Sequence, residues 1–87
     1  MNAWDQILER MRKRMPEEDF RRWFGGTSYA SDSGHQLTVW VPTESIRRHI
    51  AAHYETAIER ELAASGRAHT HLRLVVSGMG EEDEDEE

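Results

Sequence analysis

The sequence contains no cysteine, which rules out a disulfide framework and any thiolate-held metal. No apolar run approaches the ~20 residues needed to cross a bilayer. The opening "MNAWDQILERMRKRM" is interrupted by charge too often to read as a secretory signal. A glycine-rich phosphate loop of the G-x-x-x-x-G-K-[ST] type is also missing, so that route to nucleotide binding is closed. Only two prolines and six glycines are present, and they fall between periodic segments rather than inside them. With 87 residues the chain has room for one domain, of a size that buries only about 60% of its unfolded surface. These absences leave a small soluble domain, expected to be cytoplasmic, with no membrane partner and no cofactor.

What is present is charge, unevenly placed. The formal net charge is −6, yet "EEDEDEE" at 81–87 holds seven of the seventeen acids. The remaining ten acids face eleven Lys and Arg, so the rest of the chain is close to neutral. A run of like charges repels itself and buries nothing. The expected organisation is therefore one domain over 1–78 and a disordered acidic tail, or linker start, over 79–87.

Periodicity supplies the elements. Trp4, Ile7, Leu8, Met11 and Met15 follow the i, i+3, i+4 spacing of one helix face, with Asn2 as N-cap. Pro16 suits the first position of a second, short helix. Its first turn carries Glu17, Glu18 and Asp19, where negative charge meets the positive end of the helix dipole. Phe20, Trp23 and Phe24 fall on one side, expected to be core with the acids facing the other way, and the glycine pair at 25 and 26 ends the element. Leu37, Val39 and Val41 alternate with Gln36, Thr38 and Trp40, which predicts a strand with Trp40 on its outer surface. "SDSG" before it is turn chemistry, making a hairpin with a strand around Tyr29. Thr43 caps one long helix with the stripe Ile46, Ile50, Tyr54, Ala57, Ile58 and Leu62. Leu72, Leu74 and Val76 alternate in a last strand. The order α-α-β-β-α-β predicts an α+β fold, a three-stranded sheet with helices packed on one side.

Three groups of side chains are candidates for function. His49 and His53 have the i, i+4 spacing of a helical metal pair, but no H-E-x-x-H motif surrounds them, so no metal site and no catalytic site is assigned. Arg10, Arg14, Arg21 and Arg22, with Arg12 and Lys13, form a basic cluster on the first two helices, of the kind that contacts nucleic-acid phosphates. Acids interleave with it, and solvated helix faces with local ion pairs are the readier account. Trp4 lies so close to the chain start that two readings stand side by side. It is a core member of its stripe, or an exposed aromatic anchor for self-association.

The segments "AWDQILERMRKRMPEEDFRRWF", "LTVWVPTES", "IRRHIAAHYETAIEREL" and "LRLVV", in this order, resemble the N-terminal domain of the bacterial replication initiator DnaA from about Trp4 to Val76. The most specific part is the first-helix Trp4, the P-x-x-x-F-x-x-W of Pro16, Phe20 and Trp23, and Pro42 before a long helix containing a Tyr. The resemblance implies a KH-like fold without the G-x-x-G nucleic-acid clamp, and a non-catalytic interaction module. It implies weak self-association through Trp4, with Ile7 one turn on, or pairing with a full-length initiator. It also implies docking of the replicative helicase, or of initiation regulators, through Glu18, Asp19, Ser45 and Ile46. Ser45 stands where the family often carries an aromatic. At most weak single-stranded DNA contact is expected, through Arg10, Arg14, Arg21 and Arg22. A regulator that pairs with a complete initiator is the alternative reading.

Overall fold

The computed structural model describes residues 2–77; the acidic segment expected over 79–87 lies outside the described residues. Helix α1, Ala3–Arg14, starts where Asn2 Oδ1 accepts a hydrogen bond from the Asp5 N–H at 2.8 Å, satisfying a donor the helix itself cannot pair. It ends at Met15, whose backbone is extended. Helix α2, Glu17–Phe24, begins one residue later than the sequence suggested. Pro16 stands just outside it, and its carbonyl accepts from the Phe20 N–H at 2.9 Å.

Strands β1, Ser28–Asp32, and β2, Gln36–Val41, form an antiparallel hairpin. Its turn needs a left-handed residue, which Gly34 supplies at φ 92°, and the Asp32 carboxylate accepts from the Gly34 N–H at 2.9 Å. The register slips between Tyr29 and Ser31, a bulge that re-aims the edge strand. After α3, Glu44–His53, and α4, Glu55–Ala64, the chain enters β3, His71–Val76, parallel to β2. The sheet order is β1-β2-β3. A parallel neighbour needs a long crossover, and the two helices provide it.

The long helix expected after Thr43 is thus divided. Thr43 caps α3 as predicted, accepting from the Ile46 N–H at 3.1 Å. The division falls at Tyr54, with φ −124° and ψ −12°, although its N–H still donates to the Ile50 carbonyl at 2.8 Å. Neither proline nor glycine marks the place. The cause is packing: α3 lies against α2 and the sheet, α4 against α1 and β3, and one straight helix does not serve both.

The core gathers one side of every layer. Trp4, Ile7 and Met11 of α1, Phe24 of α2, Leu37, Val39 and Val41 of β2, Ile50 of α3, Ile58 and Leu62 of α4 and Leu72 of β3 are all buried. Trp4 is 1% exposed, so the core reading of this residue holds in the fold. Its indole N–H donates to the Thr27 hydroxyl at 3.1 Å, and that hydroxyl donates to the Phe24 carbonyl at 2.7 Å. Tryptophan in a core usually needs such a partner for its N–H. Trp40 sits on the opposite side of the sheet and is 41% exposed. Truncating a buried tryptophan typically costs about 3–5 kcal/mol, a large part of the roughly 5–10 kcal/mol that holds so small a domain. Denaturant unfolding is therefore expected to show Trp4→Ala losing most of its stability and Trp40→Ala losing less than about 1 kcal/mol. Equal losses would contradict the placement of the two rings.

Candidate interaction face on the second and third helices

The motif "MPEEDFRRWF" resolves into two roles. Phe24 is buried, stacked on Phe20 at 5.7 Å between ring centres and meeting Tyr54 edge-on at 5.4 Å. Phe20 and Trp23 stay half-buried, which corrects the expectation that the whole aromatic triplet is core. An eight-residue helix packed by one side against α3 leaves its flanks at the rim, and Trp23 is on such a flank. Its ring lies flat on the His49 imidazole, with centres 3.5 Å apart and planes 10° from parallel. His53 follows one turn along α3, its ring centre 4.4 Å from that of His49.

Around this stack lie most of the expected docking residues. Asp19 is one turn before Trp23 on α2 and so shares its side, rather than lying opposite the aromatics. Ser45 and Ile46 precede His49 by one turn on α3; Ser45 is exposed and Ile46 half-buried against the core. Glu18 is exposed beside Asp19. The Arg22 guanidinium stands 5.6 Å from the Trp23 ring centre, a cation over an aromatic face. At the start of α3, Glu44 accepts from Arg47, whose Nε lies 2.8 Å away, and also meets Arg48 at 3.4 Å. The result is a seam of aromatic and imidazole rings with acids on α2 and an Arg-rich turn on α3.

The basic cluster is differently placed. Arg10 and Arg14 both pair with Glu61 of α4, which ties the first helix to the last. Arg21 pairs with Glu17 one turn back at 2.9 Å, and Arg12 leans over Phe20 at 5.9 Å. These four cations thus make intramolecular contacts, while the Arg10, Arg14 and Arg21 side chains stay 44%, 45% and 74% exposed. Among the described residues no cluster of three or more His, Asp or Glu is placed to hold a metal, and no helix is long and apolar enough to cross a membrane.

The Trp23–His49 contact was not readable from spacing, because it joins separate helices. The only local hints were the i, i+4 pairs Asp19–Trp23 and His49–His53. The stack has an electrostatic consequence. Desolvation beneath the indole pushes His49 below the ordinary histidine value, helped by the charges of His53 and Arg22 and opposed by Asp19. A site that disfavours its proton in the fold contributes stability that is complete above the unfolded value of about 6.5 and is lost as pH falls through the folded value. NMR titration should place the His49 midpoint below 6.5 and show Trp23→Ala moving it up; an unmoved midpoint in that variant would contradict the stacking account.

A protein-family model described as the DnaA N-terminal domain matches residues 1–64, about three quarters of the chain, covering α1 through α4 and leaving β3 outside. No curated protein matches the chain. The matched span contains the whole α2–α3 seam together with the α1 stripe and the hairpin. The chain belongs to the DnaA N-terminal domain family, a non-catalytic protein-interaction domain of replication initiation.

Proposed function

We propose that this protein docks the replicative helicase, or a regulator that competes for the same place, through the α2–α3 seam during replication initiation in the cytoplasm. The observation that carries this reading is the half-exposed Trp23 on His49, flanked by Asp19 and Arg22. Interface hot spots favour Trp and Arg in ordered settings ringed by polar groups. Trp23 is held flat by His49 before any partner arrives, so little side-chain freedom remains to be lost on binding. Glu18 and Asp19 add negative charge on one side, Arg48 positive charge on the other, which fixes orientation more than affinity. Ser45 makes this a smaller apolar contact than an aromatic would give, and Ile46 and Trp23 supply what replaces it.

Weak self-association, or pairing with a full-length initiator, is the second element of the proposal. Trp4 and Ile7 are enclosed in the core, so they support such a contact by holding α1 in place rather than by reaching across it. One surface that α1 offers is the groove lined by Asp5, Leu8, Glu9, Arg12 and Phe20. Contacts of that size fall in the transient class, below about 1,200 Å². It follows that weakened pairing in a Trp4→Ala protein reports lost folding unless stability is measured alongside.

One sedimentation experiment reads both elements. The chain alone should pass between monomer and dimer as its concentration rises, and it should co-sediment with the helicase. Asp19→Ala is expected to weaken the helicase complex by about five- to thirtyfold, the range of a moderate hot spot, and to leave the monomer–dimer transition unchanged. Helicase binding unaffected by Asp19→Ala and Trp23→Ala would remove the seam from the account, and a tight dimer at every concentration would remove weak pairing.

A further inference from the structure

The helices cover one face of the sheet and leave the other bare. The register sets two columns on the bare face: Gln36, Thr38 and Trp40 on β2, beside His71, Arg73 and Val75 on β3. Ser28 and Ser31 of β1 flank Trp40 and Thr38 on the other side. Trp40, Arg73, Gln36 and His71 are exposed, Thr38 and Val75 half-buried. Among the described residues no acid lies on this face, and Arg73 meets no carboxylate. At the Trp40 end the face runs into a hollow of about 300 Å³ lined by Gly26, Ser28, Trp40, Pro42 and Ser77.

The chain itself leaves the fold at this place. Pairing of β3 with β2 runs on to Ser77, whose N–H donates to the Val41 carbonyl at 2.9 Å, and Ser77 lines the hollow. Beyond it the sequence reads Gly78, Met79, Gly80 and then the seven acids of 81–87. Two glycines around one methionine suit a reversal of direction. Met79, two residues past Ser77, is within reach of the hollow, where a thioether meets an indole favourably. Seven extended residues span about 23 Å. Arg73 lies back along β3 from Ser77 by about 13 Å and His71 by about 20 Å, at the usual rise of a strand. Turned back at 78–80, the acids pass over both cationic positions. The like charges that keep 81–87 from collapsing on itself also keep it extended, the shape that a strand-length face accepts.

Area and tethering select this occupant over a separate one. Three strands of this length at their usual spacing present on the order of 250 Å². A second copy or a folded partner needs roughly 800 Å² from each side for a stable contact. Exposed ion pairs are individually weak and do not hold a free acidic peptide. A segment tethered a few residues away is present at a millimolar effective concentration, and the same contacts then suffice. We infer that residues 78–87 fold back over the open face of the sheet, with Met79 in the hollow against Trp40 and the acids of 81–87 over Arg73 and His71. The face is then an internal docking surface, covered at low ionic strength and opened by salt. The contact does not depend on the α2–α3 seam, which lies on the helical side of the sheet.

Because the chain has no cysteine, Glu86→Cys takes a single nitroxide label on the full-length protein. In an isotope-enriched sample the expected result is NMR broadening concentrated on the His71, Arg73 and Gln36 amides, with the α2 amides sharp. Arg73→Gln should at least halve that broadening. Salt should do the same, since going from about 0.1 M to about 1 M shortens the screening length from about 10 Å to about 3 Å. Met79→Ser should move the Trp40 indole N–H and leave that of Trp4 in place. Broadening spread evenly over the surface, or unchanged by both Arg73→Gln and salt, would overturn the docking. A Trp40 indole N–H unmoved by Met79→Ser would remove Met79 from the hollow. Mixing nitroxide-bearing chains of natural isotope content with enriched, nitroxide-free chains separates the two sources of a tail. No broadening is expected in that mixture; broadening as strong as within one chain would give the face to the tail of a second copy and overturn the internal contact.

Discussion

The candidate seam of this fold hangs on the ring of Phe24. It is buried at the end of an eight-residue helix, with Trp4 at 6.1 Å on one side and Tyr54 at 5.4 Å on the other. Three helices meet there: α1, α2 and the end of α3. Aromatic pairs in this range add roughly 0.5–1.5 kcal/mol each beyond the area they bury. A helix as short as α2 has little stability of its own. Phe24, capped by the Trp4–Thr27 hydrogen-bond chain, supplies the anchor, and α2 is held through it.

That anchor determines what α2 can display. With Phe24 turned inward, Trp23 is carried to the rim and laid on His49, and Asp19 follows on the same side one turn earlier. Tyr54, pressed against Phe24, divides the crossover into two helices, and α3 is then free to tilt against α2 while α4 follows α1. The Arg10 and Arg14 pairs with Glu61 hold that second contact. Glu61 is kept below the ordinary carboxylate range chiefly by its hydrogen bond from Arg14, with help from Arg10, so the tie persists to mild acidity. Both the candidate seam and the Arg10 and Arg14 pairs with Glu61 are consequences of the same helix arrangement.

Local physics was legible in the residues and long-range physics was not. Asn2 and Thr43 were readable as caps because capping needs only three neighbouring positions. The alternation that put Val39 inward and Trp40 outward was readable because a strand has period two. The order of elements followed, and with it the α+β fold. Trp4 could not be placed, since its fate depends on Thr27, twenty-three residues away. The break at Tyr54 carried no local signal, because it answers to packing on Phe24. Trp23 on His49, and Glu61 between Arg10 and Arg14, join helices distant in sequence; each charge was visible but not its partner. The resemblance supplied Asp19, Ser45 and Ile46 as docking residues, and the fold brings them to one seam.

The most direct measurement is an amide-resolved NMR map of the isotope-labelled chain as the replicative helicase is added. The account predicts changes clustered on Asp19, Trp23 and the Ser45–His49 turn, with the Trp23 indole N–H among the strongest and the Leu62 and Leu72 core amides unmoved. Changes centred on the Arg10–Glu61 side of α1 and α4, or a spectrum that stays silent at saturating helicase, would contradict it.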